Sequence, residues 1–263
     1  MKKNILRSLL PALTLWLIPS CSSFAADFNL VGSEMSRILQ NGHYARLGFD
    51  DRLSERILKD YIDDLDPNRL YFEQADIEGF NKKYGMALDE LLLQKNSIPA
   101  ATEIYKTFQK RAGERITTVK NLLKTEKFTF ESDRTITRDR EEAAWPKDAE
   151  EATALWKLQL EDALLSEALR REGIAKRAEE QGKPNPLENE APAIEKISQR
   201  YERFIKTIEA SDEEDIANYF LSAVAAAHDP HSDYFSAREL QQFRVGIENR
   251  LVGIGALLRA EDD

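Results

Sequence analysis

Ala227-His228-Asp229-Pro230-His231-Ser232-Asp233-Tyr234-Phe235-Ser236 is the stretch at which this chain changes character. Ahead of it, apolar residues recur at helical spacing through segment after segment. Within it, Asp229-Pro230 stops a helix, because proline lacks an N–H and pushes the preceding residue out of the helical region. Ser236 and Glu239 then form the pattern of a capping box that opens another helix. The stretch is predicted to be a corner between two helices, and it holds two of the three histidines. Farther on, Val252-Gly253-Ile254-Gly255-Ala256-Leu257-Leu258 is the first strand-like run. A lone strand cannot complete a sheet, so residues 249–263 read as the start of an incomplete second domain.

Upstream, the spacing of apolar residues predicts an irregular all-α multi-helix bundle over residues 26–248. Val31 to Gln40 is a short amphipathic helix with Val31, Met35, Ile38 and Leu39 apolar, and Tyr44 to Phe49 is a loop. Asp50 or Asp51 caps a helix whose buried stripe is Leu53, Ile57, Tyr61 and Ile62, and Leu65-Asp66-Pro67-Asn68-Arg69 stops it. A third helix carries Ile77, Phe80, Tyr84, Leu88, Leu91 and Leu92. A fourth opens at Pro99 with Ala101, Tyr105, Phe108, Ala112, Ile116, Val119 and Leu123, and the two pair as an antiparallel hairpin. Phe128 to Ile136 is an extended connector closed by Trp145-Pro146.

Asp148 and Glu151 signal a long helix with Ala152, Leu155, Trp156, Leu160, Leu164, Leu165, Ala168 and Leu169 on its apolar side. Gly182-Lys183-Pro184-Asn185-Pro186 is a linker by composition. The next helix carries Ile194, Ile197, Tyr201, Phe204 and Ile208. Ser211 and Glu214 are read as a capping box for the last helix before the corner, with Ile216, Tyr219, Phe220, Ala223, Val224 and Ala227 inward.

Residues 1–25 have the order of a secretory signal: Lys2, Lys3 and Arg7, then an apolar run from Leu9 to Ile18, then Ser23-Phe24-Ala25 as a cleavage site. Ile18-Pro19-Ser20-Cys21 also resembles a bacterial lipoprotein box that would place a lipid on Cys21. Simple cleavage ranks ahead, because proline is unusual there. Cys21 is the only cysteine, so no intramolecular disulfide is available and core packing must hold the fold. The signal carries three basic and no acidic residues, so its loss takes the formal net charge from −10 to −13. Such a chain repels phosphates, which excludes nucleic acid as an expected partner and disfavours a broad anionic membrane surface.

His228 and His231, with Asp229 and Asp233 beside them, are a conceivable metal set, but Pro230 breaks the helical register that would aim both imidazoles at one ion. No metal and no cofactor are expected. His231-Ser232 is a poor nucleophile pair, since sequence neighbours rarely face one another, and there is no Gly-x-Ser-x-Gly. Asp212-Glu213-Glu214-Asp215, and Asp148 with Glu150 and Glu151, sit at predicted helix starts, where the helix dipole favours negative charge. No catalytic residue is assigned.

Several strings together resemble one family. Ala144-Trp145-Pro146-Lys147 is followed by Ala154-Leu155-Trp156, then Asp229 to Tyr234 with Gln242-Phe243, then Gly253-Ile254-Gly255-Ala256 with Glu261-Asp262-Asp263. In order and spacing they resemble the amino-terminal part of the bacterial tail-specific proteases, or carboxy-terminal processing peptidases. The resemblance implies an exported, periplasmic precursor with a helical N-terminal domain, a PDZ domain that captures the C-terminal tails of substrate proteins, and a serine-type peptidase domain using a serine and a lysine. It implies that Gly253, Ile254, Gly255 and Ala256 are the loop whose backbone amides hold a substrate carboxylate, a role glycines suit by allowing close approach. The serine and lysine are expected beyond Asp263, which leaves this chain inactive alone.

Two functions from different classes follow. The first is the scaffold and docking segment of such a protease, with substrate tails and an envelope adaptor protein as partners. The second is a free-standing helical binding or adaptor protein of the cell envelope. The coding frame past residue 263 discriminates between them.

Overall fold

The computed structural model describes residues 26–130 and 135–248. Among the described residues there are nine α-helices and no strand. They are α1 (Phe28–Gly42), α2 (Asp51–Leu65), α3 (Gln74–Tyr84), α4 (Leu88–Leu93), α5 (Ile98–Thr125), α6 (Ala149–Glu180), α7 (Ala193–Ala210), α8 (Glu213–His228) and α9 (Ala237–Glu248). The expected all-α bundle is what the chain forms. The strand expected over residues 252–258 lies outside the described residues, and nothing in the structure supports it.

Two cores organise the helices. In the larger, α2 is the central rod: Leu53, Ile57, Leu58 and Tyr61 are fully buried against α8, with α4, α3 and α5 around them. Tyr61 meets Phe220 edge-on at 5.4 Å. The smaller core lies where the second half of α5 meets α6 and α7, through Val119, Leu122, Leu123, Trp156, Leu160, Leu164 and Ile197. Tyr71 joins the two, edge-on to Phe108 at 5.4 Å and to Trp156 at 5.6 Å. Each of the larger apolar side chains stabilises the fold by about 1.5–3 kcal/mol.

Several predicted caps are made. Asp50 accepts the N–H of Leu53 at 3.0 Å, and Asp148 accepts those of Glu150 and Glu151 at 2.9 Å each. Gly182, expected only as the start of a linker, closes α6 at φ +64°, in the left-handed region open to glycine. The α3–α5 pairing is antiparallel: Glu73 and Asp76 at the start of α3 meet Arg111 and Arg115 late in α5, and Lys83 at its end meets Glu103.

Other expectations are corrected. The third helix is two, because a break at residues 85–87 turns Leu88 and Leu92 toward the α2 core. A buried exchange fixes that turn: the Ser54 hydroxyl donates to Asp89 at 2.7 Å and accepts the Asp89 N–H at 2.8 Å. The cap of α8 is Asp212 with Asp215, one residue after the expected Ser211. Ser211 instead ends α7, accepting the Tyr105 hydroxyl at 2.8 Å.

Ile38 is 69% exposed, since the buried face of α1 is Gly32, Ser33, Ser36 and Leu39. A Cβ at Gly32 would stand 3.2 Å from Leu221 and 3.3 Å from Leu92, so only a small-residue face fits there. Ala168 and Leu169 are exposed, because the end of α6 is held by ion pairs instead. Glu190 binds Arg170 at 2.7 Å and Arg171 at 3.2 Å. Tyr219, expected inward, is 48% exposed.

One buried carboxylate ties these parts together. Asp66, directly after α2, accepts the N–H groups of Leu70, Tyr71 and Phe72 at 2.8, 3.0 and 3.1 Å and the Trp145 indole N–H at 3.3 Å. Arg69, at φ 52°, stacks over Trp145 at 4.3 Å. We predict that Asp66→Ala, which strands these donors, destabilises the chain by about 2–4 kcal/mol. Urea unfolding followed by tryptophan emission measures this, and a loss within error would refute the role given to Asp66.

Candidate functional site

The α8–α9 corner is completed by a segment far away in sequence, the loop from His43 to Asp50 between α1 and α2. Asp229, 6% exposed, is its centre. Its carboxylate accepts the Ser232 hydroxyl and the His231 N–H, each at 3.2 Å, and the Tyr44 hydroxyl at 3.4 Å, with His43 Nε2 at 3.6 Å. Burial alone would raise the Asp229 pKa. The Ser232 hydroxyl, the His231 N–H and the neighbouring imidazoles outweigh it and hold the carboxyl below its ordinary range.

His228, 2% exposed, donates from Nε2 to the Leu47 carbonyl at 3.3 Å. Its ring stacks on Phe49 at 5.9 Å and meets His43 edge-on at 5.0 Å, while Nδ1 is buried with no hydrogen-bond partner. Burial pushes the His228 pKa down, the Leu47 carbonyl opposes this, and His43 adds to it. Beyond the corner the expected capping box forms: Glu239 accepts the Ser236 N–H at 2.9 Å and its hydroxyl at 2.7 Å, and the Glu239 N–H returns to Ser236 Oγ at 3.3 Å.

By proximity alone, Ser232, His43 and Asp229 are a serine, a histidine and an acid together, but their directions are wrong for nucleophilic catalysis. A working triad places the acid at imidazole Nδ1 and the serine at Nε2. Here Nδ1 of His43 accepts the Ala45 N–H at 3.3 Å, which assigns the proton to Nε2. Both Ser232 Oγ, at 3.4 Å, and Asp229 share that one donor nitrogen. The serine proton goes to Asp229, and no nitrogen is free to take it. The cluster therefore fastens the α1–α2 loop to the α8–α9 corner.

The four residues weighed as a metal set do not converge. His228 turns inward, His231 and Asp233 are exposed, and Asp233 accepts the Tyr234 N–H at 2.8 Å. Among the described residues, no group of three or more histidine, cysteine or acidic side chains is placed to hold a metal ion. Gly253, Ile254, Gly255 and Ala256, the expected carboxylate loop, lie outside the described residues. Sequence reading missed His43, Tyr44, Leu47 and Phe49 as partners of the corner. Tyr44, Leu47 and Phe49 sit in the expected loop and His43 directly before it, and no local pattern links them to a site so distant in sequence.

The fold and this corner define a helical domain that closes on itself through a polar lock in which no imidazole nitrogen is free to take the Ser232 proton. Residues 35–238 match the family described as the tail-specific protease N-terminal domain, and the chain belongs to that family. It is similar to the tail-specific protease of Haemophilus influenzae (strain ATCC 51907 / DSM 11121 / KW20 / Rd), with 33% identity over 244 residues. The match covers 93% of this chain and 32% of that protein, so the chain spans about a third of the length of its relative.

The pH dependence of the corner follows from the two depressed pKa values. In the unfolded chain His228 takes a proton near pH 6.5, which the folded chain refuses until lower pH. Its contribution to stability is therefore fully present above about pH 6.5 and is lost as pH falls through the folded value. The Asp229 contribution is present above about pH 4 and lost below it in the same sense. We predict that the melting temperature falls from pH 7.5 to 5, and that His228→Gln flattens this slope. A wild-type slope retained in the variant would remove His228 as its source.

Proposed function

We propose that this chain is the helical scaffold and docking segment of an exported tail-specific serine protease, an enzyme that degrades or processes proteins from their C-termini. The observation that carries this reading is that residues 35–238 match the family, while their described part is built of α-helices joined by loops and, at the α8–α9 corner, no imidazole nitrogen is free to take the Ser232 proton. Proteolysis then belongs to a serine and a lysine in another domain of the whole enzyme.

In this reading residues 1–25 are the export signal, residues 26–248 form the helical unit, and residues 249–263 begin a PDZ domain. The backbone amides of Gly253, Ile254, Gly255 and Ala256 receive a substrate carboxylate once that domain is complete. The periplasm is the site of action, with a lipid on Cys21 as the alternative anchor. The apolar residues Leu240, Phe243 and Ile247 along α9 are 37%, 48% and 65% exposed, which suits a helix that hands over to a further packed unit. Substrate tails and an envelope adaptor are the partners.

Two measurements test the reading. The 263-residue product, freed of host proteases, is expected neither to cleave nor to bind a peptide with an apolar C-terminus, and Ser232→Ala is expected to leave that baseline unchanged. Cleavage abolished by Ser232→Ala would overturn it. Mass spectrometry of the exported product is expected to place the mature start after Ala25. An intact Met1 would refute export by cleavage, and a diacylated Cys21 would establish the lipid anchor instead.

A further inference from the structure

A cleft of about 400 Å³ opens between the α2–α3 loop, α5, α7 and α8, at the junction of the two cores. Its walls include Tyr71, Tyr105, Phe108, Phe204 and Tyr219. Tyr71 stacks on Phe204 at 5.5 Å and Tyr105 on Tyr219 at 6.0 Å. Phe204 and Tyr219, the outer ring of each pair, are 37% and 48% exposed. Solvent thus reaches the aromatic wall of the cleft through Phe204 and Tyr219, with Tyr105 and Phe108 buried behind them.

Two carboxylates line the same cleft, and they differ. Asp66 is spent on the backbone of residues 70–72 and on Trp145. Asp64, exposed in the last turn of α2, has no hydrogen bond or ion pair among the described residues. The cations nearby serve Asp63 instead: Lys59 binds it at 2.7 Å and Arg69 lies 4.0 Å away. Partial burial, with repulsion from Asp60 and Asp63, raises the Asp64 pKa. Asp60 is raised as well, by burial first, with Lys59 and Arg56 opposing and Asp63 adding to it. Asp64 is therefore the carboxylate of this edge that no cation among the described residues binds.

We propose that the cleft receives an arginine or lysine side chain from an extended segment of a client polypeptide. The aliphatic stem lies along the rings, the cationic head meets their negative faces, and Asp64 takes the charge. An acidic side chain would be repelled here, and an apolar one would cover Asp64 with nothing to balance it. A cleft of this size takes one side chain of an extended strand more readily than a folded face. The proposal deepens the docking reading given above and rests on it.

The test uses the intact 263-residue chain and a blocked peptide, acetyl-Gly-Gly-Arg-Leu-Gly-Gly-amide, beside its neutral counterparts with citrulline or norleucine for arginine. Titration followed by NMR is expected to move the Tyr219 ring signals with the arginine peptide and to show about threefold to tenfold weaker binding of the citrulline peptide. Asp64→Asn, isosteric and at an exposed position, is expected to remove that preference. Tyr219→Ala is expected to weaken both peptides, and Glu180→Gln, at the exposed end of α6, neither.

No binding of the arginine peptide at millimolar concentration, or equal binding of the arginine and citrulline peptides, overturns the proposal. Norleucine binding as tightly as arginine, and unaffected by Asp64→Asn, overturns it in favour of an apolar occupant. The docking reading is separated by retention of reduced, carboxymethylated casein on the immobilised chain. Retention unchanged by Asp64→Asn sinks the cleft alone, and absence of retention sinks both.

Discussion

A single buried aspartate decides how this chain turns from α2 into α3, and most of the tertiary structure hangs from that turn. Asp66 ends α2, and its two oxygens collect three successive backbone N–H groups of the loop that follows. Those N–H groups lie in the loop between α2 and α3, where no helical carbonyl takes them, and burying them unpaired would cost more than most apolar contacts return. With the backbone satisfied, Phe72 can be fully buried and Tyr71 can stand between the two cores. The same carboxylate takes the indole N–H of Trp145, so the connector is docked on the corner between α2 and α3. The Pro146 carbonyl then accepts the Gln74 N–H at 2.9 Å, and α6 starts at a fixed place beside α3.

Charge does a second kind of work along α3 and α5. Arg115 is 2% exposed and donates to Glu73 at 2.7 Å, and Arg111 holds Glu73 at 2.9 Å and Asp76 at 2.8 Å. Buried ion pairs are weak evidence for net stability, because removing two charges from water offsets much of their attraction. Their effect here is on register. A guanidinium fork accepts few positions of its carboxylates, so α3 has little freedom to slide along α5.

The helix-forming parts of this fold were legible because they depend on neighbours in sequence. Asp50, Asp148 and the Ser236–Glu239 pair act within a few residues, and the buried stripes of α2 and α5 repeat with the helical period. The misreadings have tertiary causes. Ile38 is apolar and exposed, because Gly32 brings α1 so close to Leu92 and Leu221 that only small residues fit between them. The break between α3 and α4 depends on Ser54, a residue on another helix. At the corner, Asp229 and Ser232 were visible, but His43 was not, since nothing local to either segment marks the other as its partner.

That corner also shows why an inventory of residues is a poor guide to chemistry. Serine, histidine and aspartate lie within 3.6 Å of one another, yet catalysis depends on where protons can go. The Ala45 N–H occupies the one nitrogen of His43 on which an orienting acid would act. The serine hydroxyl points to the carboxylate, and the histidine can only donate to both. A base would require His43 to change tautomer, which loses the Ala45 hydrogen bond and turns a lone pair toward a carboxylate that already repels it. Each neighbour thus holds the others in the arrangement that joins α1 to α8, and the geometry that makes the joint firm is the one that denies it a nucleophile.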